Sequence, residues 1–248
     1  MIKNISVVII AKDAQATIKE TLESLIKFQE VILYLNNSKD DTRNIASTYK
    51  NVKVILGDFL GFGDTKNLAA THAKNNWIFS LDSDEVILPE LLNELISLKL
   101  TNEKELFQIK RDNYFLNKKV KYSGWGNDKL IRLYNKTNHQ FNSNKVHEFI
   151  VKTNESILIN LTHSFKHNAV QNINQFLQKV ITYSDLASQN KKTCYFLLVI
   201  LKAKFSFIKT YFLQLGFLDG WRGFVIAISN FNGKFFRYTK RYINCKNK

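Results

Sequence analysis

The chain has 248 residues, an ordinary apolar share of 45% and a formal charge of +15. That length holds a full hydrophobic core. Two cysteines, Cys194 and Cys245, without C-x-x-C or paired spacing, argue against a disulfide scaffold or zinc knuckle and suit a reducing compartment. The charge is concentrated: residues 190–248 carry 12 Lys/Arg against one acid, Asp219, and the preceding 189 residues stay near balance. Such a tail implies an anionic partner.

Apolar "SVVII" after a short polar start is too short to span a membrane and lacks a cleavage site of small residues. It reads as a first strand rather than a leader. "DAQATIKETLESLIKF" follows with a helical stripe of Ile18, Leu22, Leu25 and Ile26. "EVILYL" is a second strand, "NNSKDDT" a turn, "RNIASTYK" a helix and "VKVILG" a third strand. A Gly-rich loop, "GDFLGFGDTK", precedes the helix "NLAATHAKN" and the strand "WIFSL". This alternation predicts an α/β domain with a mostly parallel, right-handed doubly wound sheet. In such sheets ligands sit beyond the carboxyl ends of strands. Ala11–Asp13, Asn36–Asp41 and Asp82–Glu85 are therefore expected on one rim.

Pro89 opens a helix, where its missing N–H does no harm. "LFQIKRDNYFL", "KVKYSGW", "LIRLYN", "FIVKTN" and "ILINLTH" are strand-like, and 174–189 is helical. "TCYFLLVIL" and "TYFLQLGFL" are uncharged runs separated by Lys202, Lys204 and Lys209. They suit an interfacial helix with lysines reaching headgroups, or a helix packed on the domain, better than a membrane span. The expected division is 1–165, an α/β domain, and 166–248, a helical, basic extension that associates with membrane. No sequence signature of a nucleic-acid-binding fold accompanies the charge, so nucleic acid is not the expected partner.

Asp82-Ser83-Asp84 puts two carboxylates just beyond a strand. Paired carboxylates suit a hard divalent ion, Mg²⁺ or Mn²⁺, whose shell is completed by water and phosphate oxygens. The bland alternative is acids placed near the next helix N-terminus.

The series "SVVIIAKDAQATI", "NNSKDDT", "GFGDTKNLA" and "WIFSLDSDE" resembles the family 2 glycosyltransferases, which have the GT-A fold. "SGWGNDKLIRLYNK", "VHEFI", His163 and "LGFLDGWRGFVIAISNFNGKFFRYTKRY" extend the resemblance toward bacterial enzymes that add glucose or heptose to the lipopolysaccharide inner core. The resemblance implies a nucleotide-diphosphate sugar donor, most simply UDP-linked, and a divalent metal. It implies a lipid-linked glycan acceptor and a cytoplasmic place at the inner membrane.

By the same resemblance, Ala11, Lys12 and Asp13 cradle the nucleotide, and Lys66 lies near it. Asn36 stands where the family commonly carries an aspartate reading uracil. Asp82 with Ser83 meets the ribose or metal, Asp84 binds metal, and His147 is a third metal ligand. Asp128 in "GWGND" is the expected base, with Glu148 as competitor, and inversion of the anomeric centre is the implied outcome. Trp125 is a candidate for stacking on sugar, and Arg132 for touching phosphate or bracing the sheet. An apolar tail also leaves self-association open. The rival readings are a nucleotidyltransferase, against which "AKDAQ" lacks a Gly-rich phosphate loop, and a non-catalytic membrane- or nucleic-acid-binding protein with a degenerate site, motivated by Asn36 and Asn127.

Overall fold

A computed structural model describes residues 1–144, 148–189 and 191–247. The chain divides into two compact units: Met1–Arg111 with Lys129–His167, and Asp112–Asp128 with Asn168–Lys248. The boundary expected at 165 falls two residues before this break, and the second unit also includes a segment from mid-chain.

The first unit is α/β. Its strands begin with β1 (Ile2–Ala11), β2 (Phe28–Asn36), β3 (Val52–Gly57) and β4 (Trp77–Asp82), connected by helices α1 (Ile18–Glu23), α2 (Thr42–Ser47) and α3 (Phe62–Thr71). Short β5 (Glu85–Ile87), α4 (Pro89–Ser97), β6 (Glu105–Phe115), β8 (Asp128–Asn135) and β9 (Ile157–Val170) follow, with ends of β6, β8 and β9 and the whole of β7 (Lys118–Lys119) belonging to the second unit. The sheet order is β3-β2-β1-β4-β8-β6-β9-β5, with β7 paired to β6. Pairing is parallel from β3 through β4, and β8 joins β4 antiparallel.

Both faces of the parallel strands are covered, which explains their near-continuous apolar runs. Val7, Ile9, Leu33, Phe79 and Leu81 face a core with Ile18 and Leu22 of α1 and Leu91 of α4. Their neighbours Val8, Ile10, Ile32 and Ile78 face Ala69 and Ala70 of α3 on the other side. The period-2 alternation of a strand thus feeds two layers of helices.

Several boundaries differ from expectation. Helix α1 starts only at Ile18, because residues 13–15 are engaged by the β2–α2 loop. Helix α3 starts at Phe62, inside the Gly-rich stretch, so Lys66 is helical. Gly63 is required there: a Cβ would lie 1.8 Å from the Asn142 carbonyl. "FIVKTN" forms no strand, contributing only the bridge Phe141–Ile150.

The second unit contains α5 (Ile173–Leu186), α6 (Phe196–Ile208), a π-helical turn (Lys209–Leu213), a 3-10 turn (Gly216–Asp219) and the 26-residue α7 (Trp221–Lys246). Its small core joins Phe115, Val120, Val170 and Ile226, with Trp125 and Phe176 against them. Helices α6 and α7 form a hairpin: Phe207 meets Phe224 at 5.9 Å, and Phe196 meets Tyr242 at 5.4 Å. Cys194 and Cys245 form a disulfide with Cα atoms 5.4 Å apart, which runs against the reading that their spacing suits a reducing compartment. They are 51 residues apart, and the hairpin brings them together. No described helix is long and apolar enough to cross a membrane.

Candidate active site

The sheet's connection order reverses between β1 and β4, since β2 and β3 lie on one side and β4 on the other. A crevice for ligands opens beyond the carboxyl ends of strands at such a switch point. Ile10 pairs with Asp82 across that junction, Ala11 pairs with Leu35, and Asn36 ends β2 opposite Gly57. The expected rim is therefore assembled.

Its first two loops are fastened together. Asp13, at φ 49°, donates its amide to Ser38 Oγ at 3.0 Å, and its carboxylate accepts from the Lys39 amide at 2.8 Å. Gln15 donates its amide to Asp40 at 2.8 Å, and the Ala14 amide donates to Thr42 Oγ1 at 2.8 Å. Lys12 is exposed and Ala11 buried. Asn36 is buried, and its Oδ1 has no hydrogen-bond partner. A buried amide oxygen left unpaired is costly.

At the β4 end lies a network of buried charges. Asp82 accepts from Lys66 Nζ at 2.9 Å through Oδ1 and from Arg132 at 2.7 Å through Oδ2. Lys66, from α3, also reaches Glu148 at 2.8 Å. Arg132, from β8, binds Glu85 at 2.5 Å, while Glu85 Oε2 accepts the Asp82 amide at 2.9 Å. Arg111 of β6 approaches Glu85 at 3.4 Å. Burial opposes ionisation of Asp82, but Arg132 and Lys66 outweigh it and hold the carboxyl well below the usual range. Glu85 has the opposite balance: burial, aided by Asp82 and Asp84, raises it despite Arg132. Arg132 is bound more firmly in its charged form by the two carboxylates, against the effect of burial.

Asp82 and Asp84 thus go to different partners. Asp82 gives both oxygens to cations, whereas Asp84 Oδ2 lies 3.5 Å from His167 Nε2. Among the described residues no three His, Cys, Asp or Glu side chains gather into a metal cluster. Asp84 and His167 would supply two of the six donors of an octahedral ion. A carboxylate oxygen and a neutral imidazole suit Mn²⁺ better than Mg²⁺, and diphosphate and water can supply the rest. His147, expected as a ligand, lies outside the described residues. Ser83 sits in the turn between β4 and β5, held by Thr21 Oγ1 donating to its carbonyl at 3.0 Å.

Beside this network is a cleft of about 390 Å³. Lys66, Arg111, Lys129, Arg132 and Lys152 line it with Asp82 and Glu148, an excess of cations suited to phosphate. Sequence reasoning placed Glu85 on the rim without a role and missed Arg111 and His167 as members of the site. Only the proximity of Glu85 to the D-x-D was visible; the other two come from β6 and β9, which nothing local ties to it. His163 instead binds Glu94 at 2.9 Å on the surface.

Asp128 belongs to the second unit, where its Oδ2 accepts from Asn113 Nδ2 at 3.3 Å, and the same amide donates to the Trp125 carbonyl at 3.0 Å. The segment before it is clamped by Asp219, whose carboxylate accepts from the amides of Lys121 (2.9 Å) and Tyr122 (3.0 Å) and from Ser123 Oγ (2.8 Å). A Cβ on Gly126 would fall 1.7 Å from the Lys121 carbonyl, so the loop closes only with glycine there. Trp125 packs near Phe115 at 6.3 Å and Phe176 at 6.5 Å, giving the residue a structural task in the unit's core.

The α/β architecture with acids beyond β4 is shared by several enzyme classes, and the sequence relatives establish which one this is. Residues 6–157 match the family described as Glycosyl transferase family 2, and the chain belongs to that family. An uncharacterized glycosyltransferase of Rickettsia typhi is 30% identical, over 96% of this chain and 86% of the relative. One of Rickettsia prowazekii is 29% identical with the same coverage. Among solved structures, S. aureus TarS 1–349 aligns over 94% of this chain and 81% of its own, at 16% identity and a TM-score of 0.45. Glucosyl-3-phosphoglycerate synthase from Mycobacterium tuberculosis, solved with Mn²⁺, UDP and glucosyl-3-phosphoglycerate, aligns over 45% and 44% at 23% identity and a TM-score of 0.37.

Proposed function

We propose that this family 2 glycosyltransferase is a metal-dependent, inverting enzyme that moves a hexose or heptose from a nucleotide-diphosphate donor, UDP-linked by preference. The acceptor proposed is a lipid-anchored glycan of the lipopolysaccharide-core kind. The observation that carries the donor reading is the alignment of Ala11, Asn36 and Asp82 at the switch point, with the buried Asn36 Oδ1 left without a protein partner there. Ala11, Lys12 and Asp13 form the proposed nucleotide cradle. Lys66 and Asp82, with Ser83 in the adjoining turn, bound the ribose and diphosphate side.

Asp84 is the proposed metal ligand, with His167 and the sequence-proposed His147 as further donors. When bound, the metal would neutralise charge growing on the departing diphosphate. Asp128 is the proposed general base. It takes the proton of the acceptor hydroxyl as that oxygen bonds to the anomeric carbon; the bond from carbon to diphosphate oxygen breaks, and its electron pair leaves with the nucleoside diphosphate. Glu148 is disfavoured for this task by its direct pairing with Lys66. The proposed working place is the cytoplasmic face of an inner membrane, reached through the basic second unit; the Cys194–Cys245 disulfide, rare in a reducing compartment, weighs against it.

Calorimetry of the whole protein with UDP, with and without Mn²⁺, beside Asp84→Ala tests the donor assignment. Metal-enhanced binding that the variant loses is the expected result. Equal binding by the variant, or preference for another nucleotide, would overturn the Asp84 or the uridine assignment respectively.

A further inference from the structure

Helix α6 is an unusual surface helix. Of its 13 residues only Val199 and Ala203 are buried, and Leu197, Leu201 and Phe205 are 65%, 51% and 59% exposed. A helix that is apolar around most of its circumference normally faces core or lipid. Between α6 and α7 of the hairpin is a cavity of about 490 Å³ lined by Leu201, Lys202, Phe205, Lys209, Lys234 and Tyr238. No acid lines it, and among the described residues no carboxylate pairs with Lys202, Lys209 or Lys234.

We propose that this cavity receives the phosphate headgroup of an anionic glycerophospholipid while the exposed apolar side chains of α6 enter the acyl region. It deepens the membrane-attachment reading above, naming the lipid chemistry and the seat, and is independent of the donor chemistry. Charge complementarity selects the occupant. Three ammonium groups surround one concavity whose rim, Leu201 and Phe205, is apolar, and a lipid headgroup is the partner that offers phosphate and hydrocarbon side by side. Nucleic acid would satisfy the lysines but leave Leu197, Leu201 and Phe205 without a partner.

The positive field is already expressed on the wall of the cavity. Lys202 Nζ sits 4.5 Å from the centre of the Tyr238 ring, and Arg241 and Arg237 approach the same ring at 4.9 and 5.8 Å. Burial raises the Tyr238 hydroxyl, yet Lys202, Arg241 and Arg237 bring it below its ordinary value. The staple Cys194–Cys245 ties residues flanking α6 and ending α7, holding the open end of the hairpin together.

The test is flotation of the full chain with phosphatidylcholine vesicles, with or without phosphatidylglycerol, and with a short oligonucleotide as a second probe. Three proteins are compared: wild type, Lys202→Gln/Lys209→Gln/Lys234→Gln, and a charge-matched control, Lys3→Gln/Lys53→Gln/Lys99→Gln. At about fivefold per lysine near an anionic surface, the cavity triple is expected to lose about 100-fold in affinity for phosphatidylglycerol vesicles. The control should lose far less, and both should keep the wild-type circular dichroism spectrum. Leu201→Ser/Phe205→Ser should weaken vesicle binding while leaving oligonucleotide retention unchanged. Equal losses in the two charge variants would overturn the proposal. So would oligonucleotide binding lost in the cavity triple while vesicle binding persists. UDP binding on the same preparations separates the outcomes: its failure with vesicle binding intact refutes only the donor reading.

Discussion

Replacing Arg132 by methionine tests whether the buried charge network is what fixes the β4 end. Arg132 is 4% exposed and pairs with Asp82 at 2.7 Å and Glu85 at 2.5 Å, with its guanidinium also 5.5 Å from the Phe165 ring. With charge centres about 4 Å apart and an effective dielectric near 20, each pair is worth roughly 4 kcal/mol before desolvation. Much of that gross attraction is offset by taking the ions out of water. Removing one partner of a buried pair nevertheless costs about 3–5 kcal/mol, because the remaining charges are left without compensation. Methionine fills similar volume, so a cavity contributes little.

The pH dependence identifies the cause. Asp82 retains Lys66, but Glu85 keeps the Asp82 amide at 2.9 Å, Arg111 at 3.4 Å and the weaker influence of His167, and is already raised by burial. In the variant Glu85 rises further, so the folded state binds more protons than the unfolded one above the ordinary glutamate range. The loss of stability should therefore be fullest above the raised folded value and shrink as pH falls through it. Urea unfolding at neutral and mildly acidic pH reads this directly, and Glu85→Gln added to Arg132→Met should recover part of the loss. A loss below about 1 kcal/mol, or one independent of pH, would refute the reasoning.

Two further variants probe the second unit. Asp219→Asn keeps one acceptor but turns a donor toward amides that need a carboxylate, costing about 1–3 kcal/mol; since the loop it holds carries the proposed base Asp128, kcat should fall at least about tenfold while UDP affinity is unchanged. Wild-type turnover in that variant would remove Asp219 from the positioning of Asp128, and a shifted acid limb in the pH profile would support it. Reducing Cys194–Cys245, or Cys194→Ser, reopens a loop of 51 residues; loop-closure entropy sets the expected loss at about 4 kcal/mol, read as a lower urea midpoint, and an unchanged midpoint would contradict it.

The parallel half of the sheet was readable because burial on both faces writes an apolar run of strand length four times over, at β1 to β4. The D-x-D and its rim were readable for the same reason: strand ends fix where Ala11, Asn36 and Asp82 must lie. What the sequence concealed depends on distant partners. Gly63 is helical because the Asn142 carbonyl occupies the space a Cβ would take. Lys66 reads as a loop cation but is buried between Asp82 and Glu148, from different elements. The disulfide required knowing that α6 and α7 fold back on each other, since no spacing rule links residues 51 apart.

Local chemistry also leaves open the task of residues whose type fits two. Asp82 and Asp84 are equivalent in the motif, yet one neutralises Arg132 and Lys66 while the other faces His167. That division has a physical logic. If both aspartates were left to a divalent ion, the two carboxylates and Glu85 would repel one another whenever the ion was absent. Committing Asp82 to two protein cations, with Glu85 sharing Arg132, holds the acidic turn together on its own. It leaves Asp84 beside His167 as the member whose partner would change on binding of the proposed metal and diphosphate.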